Sequence, residues 1–128
     1  MRGYKINIEK AIKENTDYRR VLYTALHSQL VLMNIKPGGE IGEEVHKLDQ
    51  FIRIEEGDGK AILNGEKYSF SADDAIVIPQ NTRHNIINTG STDLRLYTVY
   101  SPPKHKDGTV HRTKADEKEE HFDGATTQ

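Results

Sequence analysis

Short apolar stretches alternate with polar turns over most of the chain, at the spacing that is typical of β-strands. Between residues 29 and 100, runs rich in Val, Ile, Leu, Tyr and Phe are separated by Gly, Pro, Asn and Asp. Many short strands at near-regular spacing favour an antiparallel sandwich or barrel over alternating strands and helices. We predict strands at residues 29–35, 50–56, 60–64, 66–70, 74–80, 84–88 and 94–100.

The sharpest turn signal is Asn64-Gly65, which separates two of these predicted strands. A two-residue hairpin loop requires positive φ at both positions, and Asn and Gly tolerate that conformation best. Residues 60–70 are therefore predicted to form a tight β-hairpin.

The N-terminal part of the chain has a mixed pattern. Within residues 8–15, Ile8, Ala11 and Ile12 share one face of a short helix. Residues 18–26 then return to a strand pattern. We therefore predict a short N-terminal helix followed by one further strand.

The C-terminal part of the chain is polar. Residues 113–122 predict a short helix that is capped by Thr113, with Asp116 at the third position of the capping pattern. The strand pattern ends near Ser101, before two prolines. We predict a β-barrel domain at residues 1–101, with its core at 29–101, and a polar tail at 102–128.

Composition narrows the class of protein. The 128 residues carry 18 Lys and Arg against 20 Asp and Glu, and the two signs are interspersed, so no basic face is available to nucleic acid. The absence of cysteine excludes disulfides, thiolate metal sites and thiol nucleophiles. The N-terminus lacks the apolar segment of a signal peptide, and no apolar run reaches the length of a membrane span. We expect a cytoplasmic, single-domain protein that binds neither nucleic acid nor membrane.

Residues 43–50 combine oxygen and nitrogen ligands at close spacing. In an extended chain, Glu44 and His46 point to the same side because alternate residues share a face. In an extended chain Gln50 would lie roughly 13 Å beyond His46. The ligands of one metal ion, in contrast, each lie about 2–2.2 Å from the ion. The chain must therefore bend at residues 47–49 if all three side chains are to bind one metal.

A further ligand is available in His84, which follows a turn led by Pro79 and begins an apolar strand. Together with Glu44, His46 and Gln50 it offers two imidazole nitrogens and two oxygens, a set that suits Mn, Fe, Co, Ni or Zn. The residues alone also allow another interpretation, in which they are a solvated acidic edge, a polar cross-strand pair and a surface histidine.

The same residues resemble the first of the two sequence motifs of the cupin family. That motif consists of Gly, five residues, His-x-His, three or four residues, Glu, six residues and Gly. The corresponding residues here are Gly38 or Gly39, Glu44-x-His46, Gln50 and Gly57.

The second cupin motif consists of Gly, five residues, Pro-x-Gly, two residues, His, three residues and Asn. The corresponding residues here are Asp73, Pro79-x-Asn81, His84 and Asn88. Four positions depart from the family pattern across the two motifs. Asn81, in place of Gly, still tolerates a positive φ.

The cupin resemblance implies an all-β jelly-roll barrel, also called a double-stranded β-helix. It implies one divalent metal ion, held by Glu44, His46, Gln50 and His84. Cupins that keep the barrel and lack the metal are the alternative. The departures from the cupin motifs do not remove the capacity to bind a metal ion, because all four side chains are competent metal ligands.

Candidate catalytic groups beside the metal are His27, Tyr97, Tyr100 and His111. Tyr97 and Tyr100 lie on opposite faces of the last predicted strand, so only one of them can point inward. His27 precedes a strand and could line the barrel. His111 lies in a tail segment that could fold over the mouth of the barrel and contact a substrate.

Three functions follow from this set of residues. The leading hypothesis is an isomerase or related proton-transfer enzyme acting on a small sugar or oxo-acid, with the metal as Lewis acid. The second is a non-haem dioxygenase, and the third is a protein that binds a small molecule without turnover. We expect a homodimer formed through the outer face of a sheet. Fold alone assigns no reaction.

Overall fold

A computed structural model describes residues 2–118 and 120–128. Met1 and Glu119, the latter inside the predicted C-terminal helix, lie outside the described residues. No helix of the described chain is long and apolar enough to cross a bilayer. The elements are helix α1 (Ile8–Glu14), strands β1 (Arg19–Thr24), β2 (Gln29–Ile35), β3 (Asp49–Glu56), β4 (Gly59–Leu63), β5 (Glu66–Phe70), β6 (Ala75–Ile78), β7 (His84–Asn88), β8 (Leu94–Ser101) and β9 (Val110–His111), and a 3₁₀ turn (Lys114–Asp116).

The strands form two antiparallel sheets. One has six strands in the order β6-β3-β8-β2-β1-β9, and the other has three in the order β5-β4-β7. The predicted all-β fold class is confirmed. Within the described residues the strands form these two sheets and do not close into one continuously hydrogen-bonded barrel.

The core lies between the two sheets. β8, and β3 as far as Ile54, alternate between buried and more exposed positions, as strands with one face on a core should. Their inward residues Ile52, Ile54 and Leu96 are fully buried, and they belong to one cluster with Ala61 and Ile86 of the smaller sheet. The alternation in the sequence thus fixes which side chains face the interior.

The β4–β5 hairpin is confirmed. Asn64 has a φ of 49° and Gly65 a φ of 86°, so both loop residues adopt the positive values that the turn requires. The side chain of Asn64 also accepts a hydrogen bond from the backbone N–H of Arg83 at 3.0 Å. The hairpin is therefore tied to the turn that precedes His84.

An extended segment at residues 38–44 runs antiparallel to β7 and extends the smaller sheet. Asn88 donates its backbone N–H to the carbonyl of Gly39 at 2.9 Å, and Ile41 donates to the carbonyl of Ile86 at 2.9 Å. Isolated bridges pair Glu40 with Ile87 and Glu44 with His84. This pairing places the first sequence motif directly beside the second.

The departures from the cupin glycine pattern have a conformational explanation. Asp73 has a φ of 75° and Asn81 a φ of 65°, so both residues adopt the left-handed conformation that the motif glycines supply. Asn and Asp are the non-glycine residues that tolerate it best. Position 57 requires glycine, because a Cβ there would lie 2.9 Å from the carbonyl oxygen of Asp93.

The C-terminal tail adds a strand to the larger sheet. β9 pairs with β1, with His111 opposite Arg19 and Val110 opposite Arg20. The predicted C-terminal helix is a single 3₁₀ turn, in which the carboxylate of Asp116 accepts hydrogen bonds from the backbone N–H and the hydroxyl of Thr113, each at 3.1 Å. The predicted cap is present, but the turn ends at once, since the residues that follow lack an apolar face to bury.

Candidate metal centre

Two reciprocal backbone hydrogen bonds join Glu44 to His84. The N–H of Glu44 donates to the carbonyl of His84, and the N–H of His84 donates to the carbonyl of Glu44, both at 2.9 Å. His46 lies two residues further along, and its ring centroid is 4.9 Å from that of His84. The pairing of the 38–44 segment with β7 therefore brings three predicted ligands together.

The side chains of Glu44 and His46 point at one locus. Oε2 of Glu44 lies 3.3 Å from Nε2 of His46. Two ligands at about 2.1 Å from one tetrahedral or octahedral ion are roughly 3.0–3.4 Å apart. The observed distance therefore agrees with that expected for two ligands of a common ion.

His84 is held with one nitrogen free for a ligand. Its Nδ1–H donates to the carbonyl oxygen of Thr82 at 2.8 Å. A carbonyl can only accept, so Nδ1 carries a proton and Nε2 is the nitrogen left to bind a metal. A metal-binding histidine is commonly oriented by such a hydrogen bond from its other nitrogen.

Gln50 contributes a buried oxygen without a partner. Its Nε2 donates to the hydroxyl of Thr98 at 3.0 Å, and its Oε1 is buried with no hydrogen-bond partner in the described chain. Gln50 stands opposite Tyr100 in the β3–β8 register, and cross-strand partners face the same side of a sheet. The ring of Tyr100 lies 6.5 Å from that of His46, so Gln50 faces the same interior region.

The bend that the ligand spacing requires is present. The chain bends at Lys47 and Leu48, and β3 begins at Asp49. Asn81 donates its backbone N–H to the carbonyl of His46 at 2.7 Å, which fixes the segment just before the bend. Glu44 and His46 lie in an extended segment and not in a longer strand, because Glu44 has an isolated bridge to β7 and His46 has none.

A lysine of the C-terminal tail binds the same carboxylate oxygen. Nζ of Lys104 lies 2.8 Å from Oε2 of Glu44 and 5.7 Å from the ring centroid of Tyr100. Within residues 2–118 and 120–128, no group of three or more His, Cys, Asp or Glu side chains is already arranged as a metal site. An ammonium group therefore neutralises Glu44 in this structure.

The electrostatic environment favours ligand-competent protonation states. Burial opposes ionisation of Glu44, but the neighbouring positive charges, the Lys104 ammonium foremost, together outweigh it and lower the pKa of that carboxyl. Burial, reinforced by Lys104, lowers the pKa of His46 to about 4. At neutral pH His46 is therefore uncharged, its contact with Glu44 is not an ion pair, and both side chains can donate electron pairs.

Comparison with known proteins identifies the family. The sequence model of the Cupin domain family matches residues 31–100. This match spans more than half of the chain and includes all four predicted ligands. The chain is a cupin.

Similar proteins include two from bacilli. YrkC of Bacillus subtilis (strain 168) is 46% identical over 121 residues, a match that covers 88% of this cupin and 64% of YrkC. The crystal structure of BH2720 from Bacillus halodurans is 44% identical, with a TM-score of 0.88 over 90% of this chain and 92% of that one. The cupin thus spans slightly less than two thirds of the length of YrkC.

A more distant structural neighbour is a predicted oxalate decarboxylase from Thermotoga maritima. It is 28% identical to this cupin, with a TM-score of 0.55, and the match covers 57% of this chain and 64% of that one. These similarities agree with the jelly-roll architecture that the sequence predicts.

The four predicted catalytic residues lie in different places. Tyr100 is buried and faces the metal-ligand candidates, whereas Tyr97 on the opposite face packs 6.1 Å from Phe51. His27 is exposed in the turn between β1 and β2. His111 lies on β9, with Nδ1 3.2 Å from Nη1 of Arg19. Of the four, Tyr100 is the one whose ring packs against a predicted ligand.

Several residues of the site were not predicted from the sequence. Lys104 was missed because it follows two prolines in a polar tail, where nothing indicates a contact with Glu44. Arg19 and Thr98 carried a signal, since both are polar residues on the inward parity of apolar strands. An inward polar residue must find a buried partner, so such positions point to a polar centre in the core.

Two buried histidines make stability depend on pH. The pKa of His46 is lowered to about 4 and that of His105 to about 2, in both cases chiefly by burial, from 6.5 in an unfolded chain. Below pH 6.5 the unfolded state binds more protons than the folded state, so acid destabilises the fold. We expect the free energy of unfolding of metal-free protein to fall between pH 6.5 and 5, by up to about 1.4 kcal/mol per pH unit for each histidine.

Urea unfolding at pH 7.5, 6.0 and 5.0 measures this slope. The His105→Asn variant should show a shallower pH dependence than the wild type, whatever its absolute stability. The His27→Asn variant removes an exposed histidine and should keep the wild-type slope. An unchanged slope for His105→Asn would contradict the assignment of a neutral, buried His105.

Proposed function

We propose that this cupin binds one divalent metal ion through Glu44, His46, Gln50 and His84, and uses it in proton transfer on a small oxo-acid or sugar. The observation that supports this most directly is the 3.3 Å separation of Oε2 of Glu44 and Nε2 of His46. Two imidazoles, one carboxylate and one amide oxygen suit Mn, Fe, Ni, Co or Zn. The unpartnered Oε1 of Gln50 gains a partner in such a site.

When bound, a divalent ion supplies Lewis-acid stabilisation of charge that develops on a substrate oxygen. The chain itself must supply a group that moves protons. Lys104 is the best-placed candidate, since burial lowers the pKa of its ammonium and Nζ already lies 2.8 Å from Glu44. Tyr100 is a poorer proton donor, because burial raises its pKa further above the neutral range.

The sequence similarity to a predicted oxalate decarboxylase supports a small organic acid as substrate, although the match covers 57% of this chain. A non-haem dioxygenase and a binding protein without turnover are the alternatives, because the same four ligands would leave open positions for either. The small-molecule ligand and the cytoplasmic location remain predictions from the sequence.

Loss of one metal ligand should weaken metal binding strongly. We expect the wild type to bind one equivalent of Co²⁺ or Zn²⁺, and His46→Ala and His84→Ala to weaken binding by at least about a hundredfold, since each removes a direct ligand. The exposed His27 and His121 provide matched controls, and their alanine variants should bind metal like the wild type. Isothermal titration calorimetry on chelator-treated protein measures this. Equal affinities for all five proteins would contradict the site.

Removal of the Lys104 charge should strengthen metal binding. Lys104→Met keeps much of the packing against Tyr100 and removes the cation that competes for Glu44, so we expect the metal affinity to rise about tenfold, or 1.4 kcal/mol. Lys106→Met changes an exposed lysine nearby and should leave the affinity unchanged. If Lys104 also moves protons, the Lys104→Met variant will bind metal more tightly and turn over more slowly. A weaker affinity would show that Lys104 helps to form the site.

The reaction class can be tested by isotope exchange. Incubation of metal-loaded protein with small 2-oxo-acids and uronates in D₂O should introduce deuterium beside the carbonyl, without oxygen uptake. The His46→Ala variant is the control for background exchange. Oxygen consumption with Fe²⁺ would instead support the dioxygenase, and ligand-dependent shifts in melting temperature without exchange would support the binding protein.

The predicted homodimer has a candidate surface on the outer face of the larger sheet. Phe51 stands opposite both Val77 and Val99, and Val77 is 64% exposed. Apolar side chains grouped on one exposed face mark interaction surfaces. We expect wild-type protein to be a dimer by light scattering and Val77→Lys to shift it towards monomer. The Lys60→Ala variant, on the smaller sheet, should remain dimeric, and a monomeric wild type would contradict the proposal.

A further inference from the structure

A cavity of about 360 Å³ opens beside Glu44. Its walls come from β1, from the segment that carries Glu44 and from the C-terminal tail. Charged and polar side chains dominate it. They include Arg19, Glu44, Lys104, His105, Glu117 and Glu120.

Arg19 is a buried cation whose hydrogen-bonding capacity is only partly used. Its side chain is 1% exposed, and Nη1 lies 2.8 Å from Oε2 of Glu117 and 3.2 Å from Nδ1 of His111. Its Nε is buried and has no partner in the described part of the chain. A guanidinium group is shaped to bind a carboxylate through two parallel hydrogen bonds. Glu117 makes only one.

Glu117 is a replaceable partner for this guanidinium. Its side chain is 36% exposed, in contrast to the 1% of Arg19, and it follows the short 3₁₀ turn at the surface. A carboxylate that reaches Arg19 from the cavity can take the place of Glu117, which then returns to solvent at little cost. Arg19 itself is fixed, because its Cζ lies 5.1 Å from the ring centroid of Tyr18.

His105 supplies a second unpartnered polar atom in the cavity wall. Its Nε2 is buried without a hydrogen-bond partner among the described residues, and its ring packs 5.3 Å from Tyr100. The side chain of buried Gln29 holds its backbone in place, accepting from the N–H at 3.0 Å and donating to the carbonyl at 2.8 Å. A buried polar atom that lacks a partner marks a place where a ligand can supply the missing hydrogen bond.

We propose that this cavity is a subsite for the carboxylate of a small organic acid, which binds Arg19 in place of Glu117. Because Glu44 lines the same cavity, an acid anchored at Arg19 would extend its other end towards the metal-ligand candidates. The inference therefore rests on the proposed function, in that it names the acid group of the substrate. Glu117 acts as an internal carboxylate that fills the subsite in the absence of a ligand.

Pyruvate and its neutral counterpart pyruvamide test the subsite in metal-free protein. Ligand-observed NMR titration should show that Glu117→Gln binds pyruvate about tenfold more tightly than the wild type, because a competing carboxylate has been removed. Glu120→Gln is the matched control, since it loses the same charge from the same cavity wall without losing a contact to Arg19. It should change the affinity by less than about threefold. Pyruvamide should bind none of the proteins detectably.

Adding Arg19→Lys to the Glu117→Gln variant should return pyruvate binding to the wild-type level or below, because lysine cannot make the two parallel bonds. The single Glu117→Gln change is at a partly exposed position, so it tests the subsite even if the double variant does not fold. Equal binding of pyruvate and pyruvamide, or unchanged pyruvate binding in Glu117→Gln, would overturn the proposal. Because metal is absent, a positive result stands even if the metal site fails, and a negative one leaves the metal site untouched.

Discussion

The structure depends on one backbone constraint, the reciprocal pairing of Glu44 with His84. Residues that are far apart in sequence become neighbours because the 38–44 segment runs antiparallel to β7. Once that pair is fixed, His46 reaches the same region from two residues away, and the bend at Lys47–Leu48 turns the chain into β3, where Gln50 faces inward. The ligand candidates are therefore placed by sheet register, and a shift of one residue would point Glu44 to the other face.

The centre combines opposite charges in pairs, and each pair joins the β-sheets to the C-terminal tail. Lys104 neutralises Glu44, and Glu117 neutralises Arg19. A buried charge such as that of Arg19 is costly without a partner, so the tail supplies the counter-charge that Arg19 needs. The same pairs are exchangeable, because a metal ion can replace the first cation and a ligand carboxylate the second anion. Through Lys104 and Glu117, the tail thus occupies the positions that a metal ion and a ligand carboxylate would take.

The sequence predicts the architecture well because strand periodicity and turn residues are local signals. The positive φ angles of Asn64 and Asn81 agree with the local signals of the Asn-Gly turn and of the motif glycine position that Asn81 occupies. The metal-ligand set also came from local spacing, together with the resemblance to cupins. Lys104 could not be placed in this way, and for Arg19 the strand pattern indicates the inward direction but not its partners. Their roles depend on how the tail packs, and β9 is a strand of two residues that carries almost no periodic signal.

The central claim is that Glu44, His46, Gln50 and His84 meet around one cation. Anomalous diffraction at the cobalt absorption edge, from crystals of protein loaded with Co²⁺, tests it most directly. The account predicts one strong peak within about 2.0–2.2 Å of a carboxylate oxygen of Glu44, Nε2 of His46, Oε1 of Gln50 and Nε2 of His84, with the Lys104 ammonium moved away. A peak elsewhere, or none while Lys104 still binds Glu44, would contradict it.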